Sequence, residues 1–166
     1  MAVPPPPLPA PPPRIGFQNG VAVRVALVAW ILTVAGSTLF GVASVPQVFA
    51  LLWLPAGGFF AVYLYRRRTG QRLSILNGAQ LGWLSGIFGF VMALIGSAVE
   101  FADPSALAKM RQQMQANGFG EANITQVFSF LTSPGGIIVM VVGLFIMFTF
   151  LPACGGALGA KLLDRD

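Results

Sequence analysis

The chain has 166 residues, 55% hydrophobic and 9% charged, where a soluble domain carries roughly 25% charged residues. With a mean hydropathy of +0.76, so much apolar surface has no place in one soluble core, and the composition points to an integral membrane protein. The net charge of +5 does not signal nucleic acid, because the arginines sit beside apolar runs, with no basic helix and no aromatic-basic interleaving.

Residues 1–13 hold eight of the thirteen prolines. Proline fixes φ and lacks an N–H, so residues 1–19 read as an extended polyproline II tail, either solvated or docked in an aromatic groove of a partner. Residues 20–166 read as the membrane domain.

The first span is expected at about 21–44. Arg24 near its start reaches back to the headgroups, and Thr33, Ser37 and Gly41 form a smooth face of small residues. A signal peptide cleaved after Val42-Ala43-Ser44 is the competing reading. The apolar run is longer than the usual ~7–15 residues, however, and a long proline-rich segment precedes it.

Val25 to Tyr65 contains no charge. As one helix it would be roughly 60 Å long, twice the ~30 Å hydrocarbon core, so it must fold back. Gly41 to Gln47, with Pro46, supplies the turn, and the second span runs over about 46–65. Pro55, inside Leu54-Pro55-Ala56-Gly57-Gly58, predicts a kink. Next come Arg66, Arg67, Arg68 and Arg72 in one short loop. Arginines between two apolar lengths mark the cytoplasmic side.

The third span is expected at about 76–99. Gly78, Gly82 and Gly86 are spaced by four, and Gly89 continues a second small row. Glycine in a helix interior costs about 1 kcal/mol relative to alanine in water. A row of them needs an offsetting gain, and close helix packing is the usual one. The row suits a seam within the chain, a self-association face or the wall of a path.

Residues 100–134 form an outer loop with two short amphipathic helices, 104–116 and 122–132. Asp103 caps the first and Pro104 starts it. Leu107, Met110 and Met114 share one face of it; Ile124, Val127, Phe128 and Leu131 share one face of the next. They either lie in the headgroup layer or cap a partner-binding surface. Asn123-Ile124-Thr125 matches a glycosylation sequon, a weak three-residue signal.

Ser133-Pro134 opens the fourth span, about 135–160. It contains Pro152 in Leu151-Pro152-Ala153-Cys154-Gly155-Gly156, and Gly155 with Gly159 at a spacing of four. The likeness to Leu54–Gly58 needs one gap when the glycine pairs are matched. It reads either as the trace of a duplicated hairpin or as two independent kinks. The expected fold is all-α: a polytopic four-transmembrane-helix bundle with both termini cytoplasmic. Eight cations fall inside, against Lys109 and Arg111 outside.

The absence of histidine and the single Cys154 exclude an intrachain disulfide, a Cys/His zinc site, a histidine-ligated haem and a Ser-His-Asp mechanism. Glu100, Asp103, Glu121, Asp164 and Asp166 all lie outside the depths of the spans, where a proton relay would keep an acid. No catalytic, cofactor or metal site is expected. The stretch from Asp103 to Lys161 resembles uncharacterised small bacterial four-span inner-membrane proteins, which share a helical loop before the last span and a glycine-rich last span. That resemblance implies inner-membrane placement and carries over no defined activity.

Three functions remain open on sequence. One is a non-enzymatic accessory or scaffold subunit whose partners are the bilayer and another membrane protein or a second copy. Another is a small transporter or channel subunit for an apolar or lipid-like solute. The third is a lipid-active enzyme using Glu100, Asp103 and Arg111.

Overall fold

The computed structural model describes residues 15–42 and 48–164, the side chains of 39–42 and 48–51 excepted. The proline tail through Arg14, the turn around Pro46 and the final Arg165-Asp166 lie outside the described residues. Among the described residues six α-helices follow in order: α1 Gly20–Val42, α2 Val48–Thr69, α3 Ile75–Ala102, α4 Pro104–Ala116, α5 Glu121–Thr132 and α6 Pro134–Leu163. No strand occurs among the described residues. Three of these, α1, α3 and α6, are long and apolar enough to cross a membrane, so the chain is an all-α membrane protein. The fourth expected span, α2, carries Arg66, Arg67 and Arg68 in its last turn.

Local chemistry sets the helix ends. The Asn19 side chain accepts from the amides of Val21 and Ala22 at 3.1 and 3.2 Å, closing the start of α1. Residues 15–19, read from sequence as tail, thus join the bundle: Ile15 is buried with the core, and Phe17 meets Trp83 edge-on. Gly70, at φ 67°, ends α2, and its amide donates to the Arg66 carbonyl at 2.8 Å. Ser74 and Ser133 cap α3 and α6, with Pro134 in the first turn of α6. Gly118, at φ 84°, makes the turn between α4 and α5.

Asp103 is both the end of α3 and the cap of α4. Its Oδ1 accepts from the Ser105 amide at 2.8 Å and its Oδ2 from the Ser105 hydroxyl at 2.9 Å. These bonds stabilise the ionised form and hold the carboxyl below its usual value. A depressed pKa means the cap's contribution is complete at neutral pH and fades as pH falls from about 4 through the lower folded value. Asp103→Ala is expected to speed amide exchange at Ser105–Leu107 at pH 7. Acidification should likewise lower the protection of these amides in the wild-type chain, judged against the intrinsic exchange rate at each pH, and protection unchanged by both would show that the cap does not hold α4.

α6 packs most extensively, against α3 and then α2; α1 lies on α2 and α3, while α4 and α5 close the far end of α3 and α6. On α1 the inward face is Ala22, Ala26, Ala29 and Thr33, all buried. Thr33 belongs to the face expected from sequence, but the alanines below it carry more of the contact. Much of the outward surface is apolar: Ile31 and Leu32 on α1, Met92 and Ile95 on α3, Ile138 and Phe150 on α6 are all exposed. Such bands suit hydrocarbon and would be a liability in water.

Candidate functional site: the proline and glycine crossing

α2 and α6 both run through an interior proline. Proline has no N–H, so Pro152 leaves the Phe148 carbonyl without its usual helical donor. Gly86 of α3 lies against that carbonyl: a Cβ placed on Gly86 would overlap the Phe148 oxygen and come within 3.0 Å of its carbon. The oxygen that the proline releases is therefore met by a glycine Cα–H, a weak but recurrent helix–helix contact.

One turn along, the Pro152 carbonyl is held from two sides. A Cβ on Gly58 of α2 would overlap this oxygen, and so would one on Gly82 of α3. In the reverse direction, a Cβ on Gly155 would overlap the Pro55 carbonyl. The glycine three residues after each proline thus meets the other proline's carbonyl. This reciprocal contact relates two parallel helices by a local two-fold axis along them. By these contacts Gly58 corresponds to Gly155, the pairing that an ungapped match of Leu54-Pro55-Ala56-Gly57-Gly58 with Leu151-Pro152-Ala153-Cys154-Gly155 makes.

The paired glycines divide their contacts. Neighbouring residues on a helix point about 100° apart. Gly155 faces α2, whereas Gly156 faces α3, where its added Cβ would overlap the Gly78 carbonyl; Gly78 in turn would strike the Gly156 oxygen at 2.5 Å. In α2, Gly58 faces α6 while Gly57 faces Thr33 of α1. Each glycine pair therefore serves a helix wedged between two neighbours.

Gly78, Gly82 and Gly86 all lie on the α6 seam, and Gly89 lies at its end against the rings of Phe148 and Trp30. Gly159 meets Phe59 and Val62 of α2, with closest approaches of 3.1–3.5 Å to an added Cβ. Gly57, Gly58 and Gly156 are packing positions that the spacing-of-four rule does not reach. A glycine pair inside a helix was the available signal. The buried hydroxyls at the crossing are satisfied within their own helices: Thr33 donates to the Ala29 carbonyl at 2.8 Å and Thr149 to the Phe145 carbonyl at 2.6 Å. What the crossing offers chemically is backbone-to-backbone contact.

The charges separate to the two ends of the bundle. At one end Asn19 Nδ2 donates to the Tyr65 hydroxyl at 3.3 Å, bringing the start of α1 to the end of α2. Arg72 pairs with Asp164 at 3.7 Å, bringing the start of α3 to the end of α6. Arg24, Arg66, Arg67, Arg68, Arg72 and Lys161 belong to these four helix ends. At the other end stand Glu100, Asp103, Lys109, Arg111 and Glu121. Arg111 lies over the Phe128 ring at 5.2 Å, and Gln115 bonds Glu121. Glu100 lines a shallow cavity of about 240 Å³ with Lys109 and Gln113, and neither Asp103 nor Arg111 is among its walls. Beside it lies an apolar cavity of about 370 Å³ between α3, α4, α5 and α6, lined by Leu94, Phe101, Leu107, Leu131, Ile137 and Met140 among others. No known protein family, curated protein or solved structure matches the chain.

Proposed function

We propose that the chain is a four-span inner-membrane bundle with both termini cytoplasmic, acting as a non-enzymatic accessory or scaffold subunit of a membrane complex. Support for α2 as a span comes from its length. At 22 residues it is about 33 Å long, enough for the ~30 Å core, and within α2 no charge precedes Arg66. Support for the orientation comes from the six described cations at one end against Lys109 and Arg111 at the other. On this reading α4 and α5 are amphipathic helices of the outer headgroup layer, with Ile124 turned inward.

The observation that carries the scaffold reading is the crossing of α2, α3 and α6. Its backbones touch, so the interior between them holds no solute, and what the molecule presents is apolar helix surface. The protein therefore acts through what docks on that surface. Extraction of the tagged protein in mild detergent at native level, followed by size and mass analysis, tests it. A stoichiometric complex with another membrane protein, or a defined homo-oligomer, is expected; a lone monomer would overturn the reading.

A second reading is a small carrier of apolar or lipid-like solutes, favoured by the apolar cavity beside Phe101 and Met140. Proteoliposome flux above that of empty vesicles, abolished by Met140→Trp, is its expected result.

A further inference from the structure

An open cavity of about 670 Å³ lies where α1 begins and α2 ends, lined by Asn19, Gly20, Arg24, Tyr65, Thr69 and Gln71 among others. Among the described residues its walls contain no acid. Tyr65 is 1% exposed, and its hydroxyl accepts from Asn19. No acceptor for its own proton exists among the described residues, so it has a donor left to give. The remaining wall is fixed by its neighbours: the Thr69 hydroxyl donates to the Tyr65 carbonyl at 2.9 Å and accepts from the Gln71 amide at 3.3 Å. Asn19 is held by the two amides it caps.

The charge around this cavity is one-sided. The same end carries Arg66, Arg67, Arg68 and Lys161. Its one described carboxylate, Asp164, stands on Arg72, and Arg24 has no carboxylate within ion-pair reach among the described residues. A guanidinium is a forked donor that suits phosphate oxygens, and a phenol O–H adds a third donor. Just beyond Arg24 along α1, Leu27, Val28 and Ile31 are exposed and apolar. A polar donor set ending on an apolar helix face matches a molecule with an anionic phosphate at one end and hydrocarbon at the other.

We propose that this cavity binds the phosphate headgroup of an anionic membrane phospholipid, with Arg24 and the Tyr65 hydroxyl as donors and the acyl chains along α1. The assignment rests on the reading that the basic end lies at a membrane surface. Clustered cations at the cytoplasmic ends of spans attract anionic lipid in general; this cavity adds a place where one headgroup is held.

The test uses the full chain in mild detergent and reads lipid binding by native mass spectrometry and by the thermal midpoint. The probes are short-chain phosphatidylglycerol, short-chain phosphatidylcholine and inorganic phosphate. Phosphatidylglycerol is expected to bind and raise the midpoint. Arg24→Gln should weaken it roughly tenfold or more, as loss of a charge-assisted bond implies. Tyr65→Phe, which keeps the buried ring, should weaken it several-fold. Lys109→Gln, at the opposite end, should leave it unchanged.

Equal binding of phosphatidylcholine, unchanged binding by both Arg24→Gln and Tyr65→Phe, or equal binding of inorganic phosphate would each overturn the assignment. The last would make a soluble phosphoryl compound the occupant. Failure of the membrane-surface reading is separable. In a Cys154→Ser background, Gln71→Cys should react with impermeant maleimide only after the cytoplasmic face is opened, and reaction in intact cells would overturn the membrane-side reading alone.

Discussion

Gly82→Val is expected to break the α3–α6 seam and to lower stability by about 3 kcal/mol or more, at or above the top of the range for overpacked cores. A Cβ at Gly82 would overlap the Pro152 oxygen and come within 2.8 Å of its carbonyl carbon and 3.1 Å of the Ala153 Cα. All three are backbone atoms, so no rotamer change relieves the clash. Moving α6 away is blocked as well, because the same Pro152 oxygen is backed by Gly58 of α2. Gly143→Ala makes the contrast. Nothing lies within 4 Å of an added Cβ there, and alanine is the better helix former, so this variant should match or exceed the wild type by up to about 1 kcal/mol. Unfolding in mixed detergent, followed by tryptophan fluorescence, measures both. If Gly82→Val unfolded at the same midpoint as Gly143→Ala, α3 and α6 would not be packed backbone to backbone.

The difference between these two glycines was partly legible in the sequence. Gly78, Gly82 and Gly86 announce one face because their spacing of four is local. Asp103-Pro104 and Ser133-Pro134 likewise announce helix starts, since a cap and a first-turn proline act within one turn. Gly156 and Gly58 were not legible as seam residues. Which neighbour a glycine meets depends on helices far apart in the chain, and a glycine pair faces two directions at once. The alanine face of α1 was hidden for another reason. In a helix exposed to lipid both faces are apolar, so periodicity does not separate inside from outside. The cavity at Arg24 and Tyr65 combines residues from two helix ends 41 positions apart, and no local spacing marks it.

The Leu-Pro-Ala match carries the other large expectation. Gly58→Ala and Gly155→Ala should each cost about 2 kcal/mol, since each new methyl would overlap the opposite proline's carbonyl. Both act on the same crossing of α2 and α6. Once one methyl has pushed the helices apart, the second finds room already made. The double variant should therefore cost less than the sum, with a coupling of about 1 kcal/mol or more. Gly86→Ala supplies the control. Its clash is with the Phe148 oxygen, seven residues from Gly155 and so roughly 10 Å along α6, and it belongs to the α3 side. Paired with Gly155→Ala it should add within about 0.5 kcal/mol. Additivity of Gly58→Ala with Gly155→Ala would mean that the two contacts are independent, and the local two-fold relation between the helices would then have no energetic content. Coupling confined to that pair would instead identify the two prolines and their glycines as a single joint between α2 and α6.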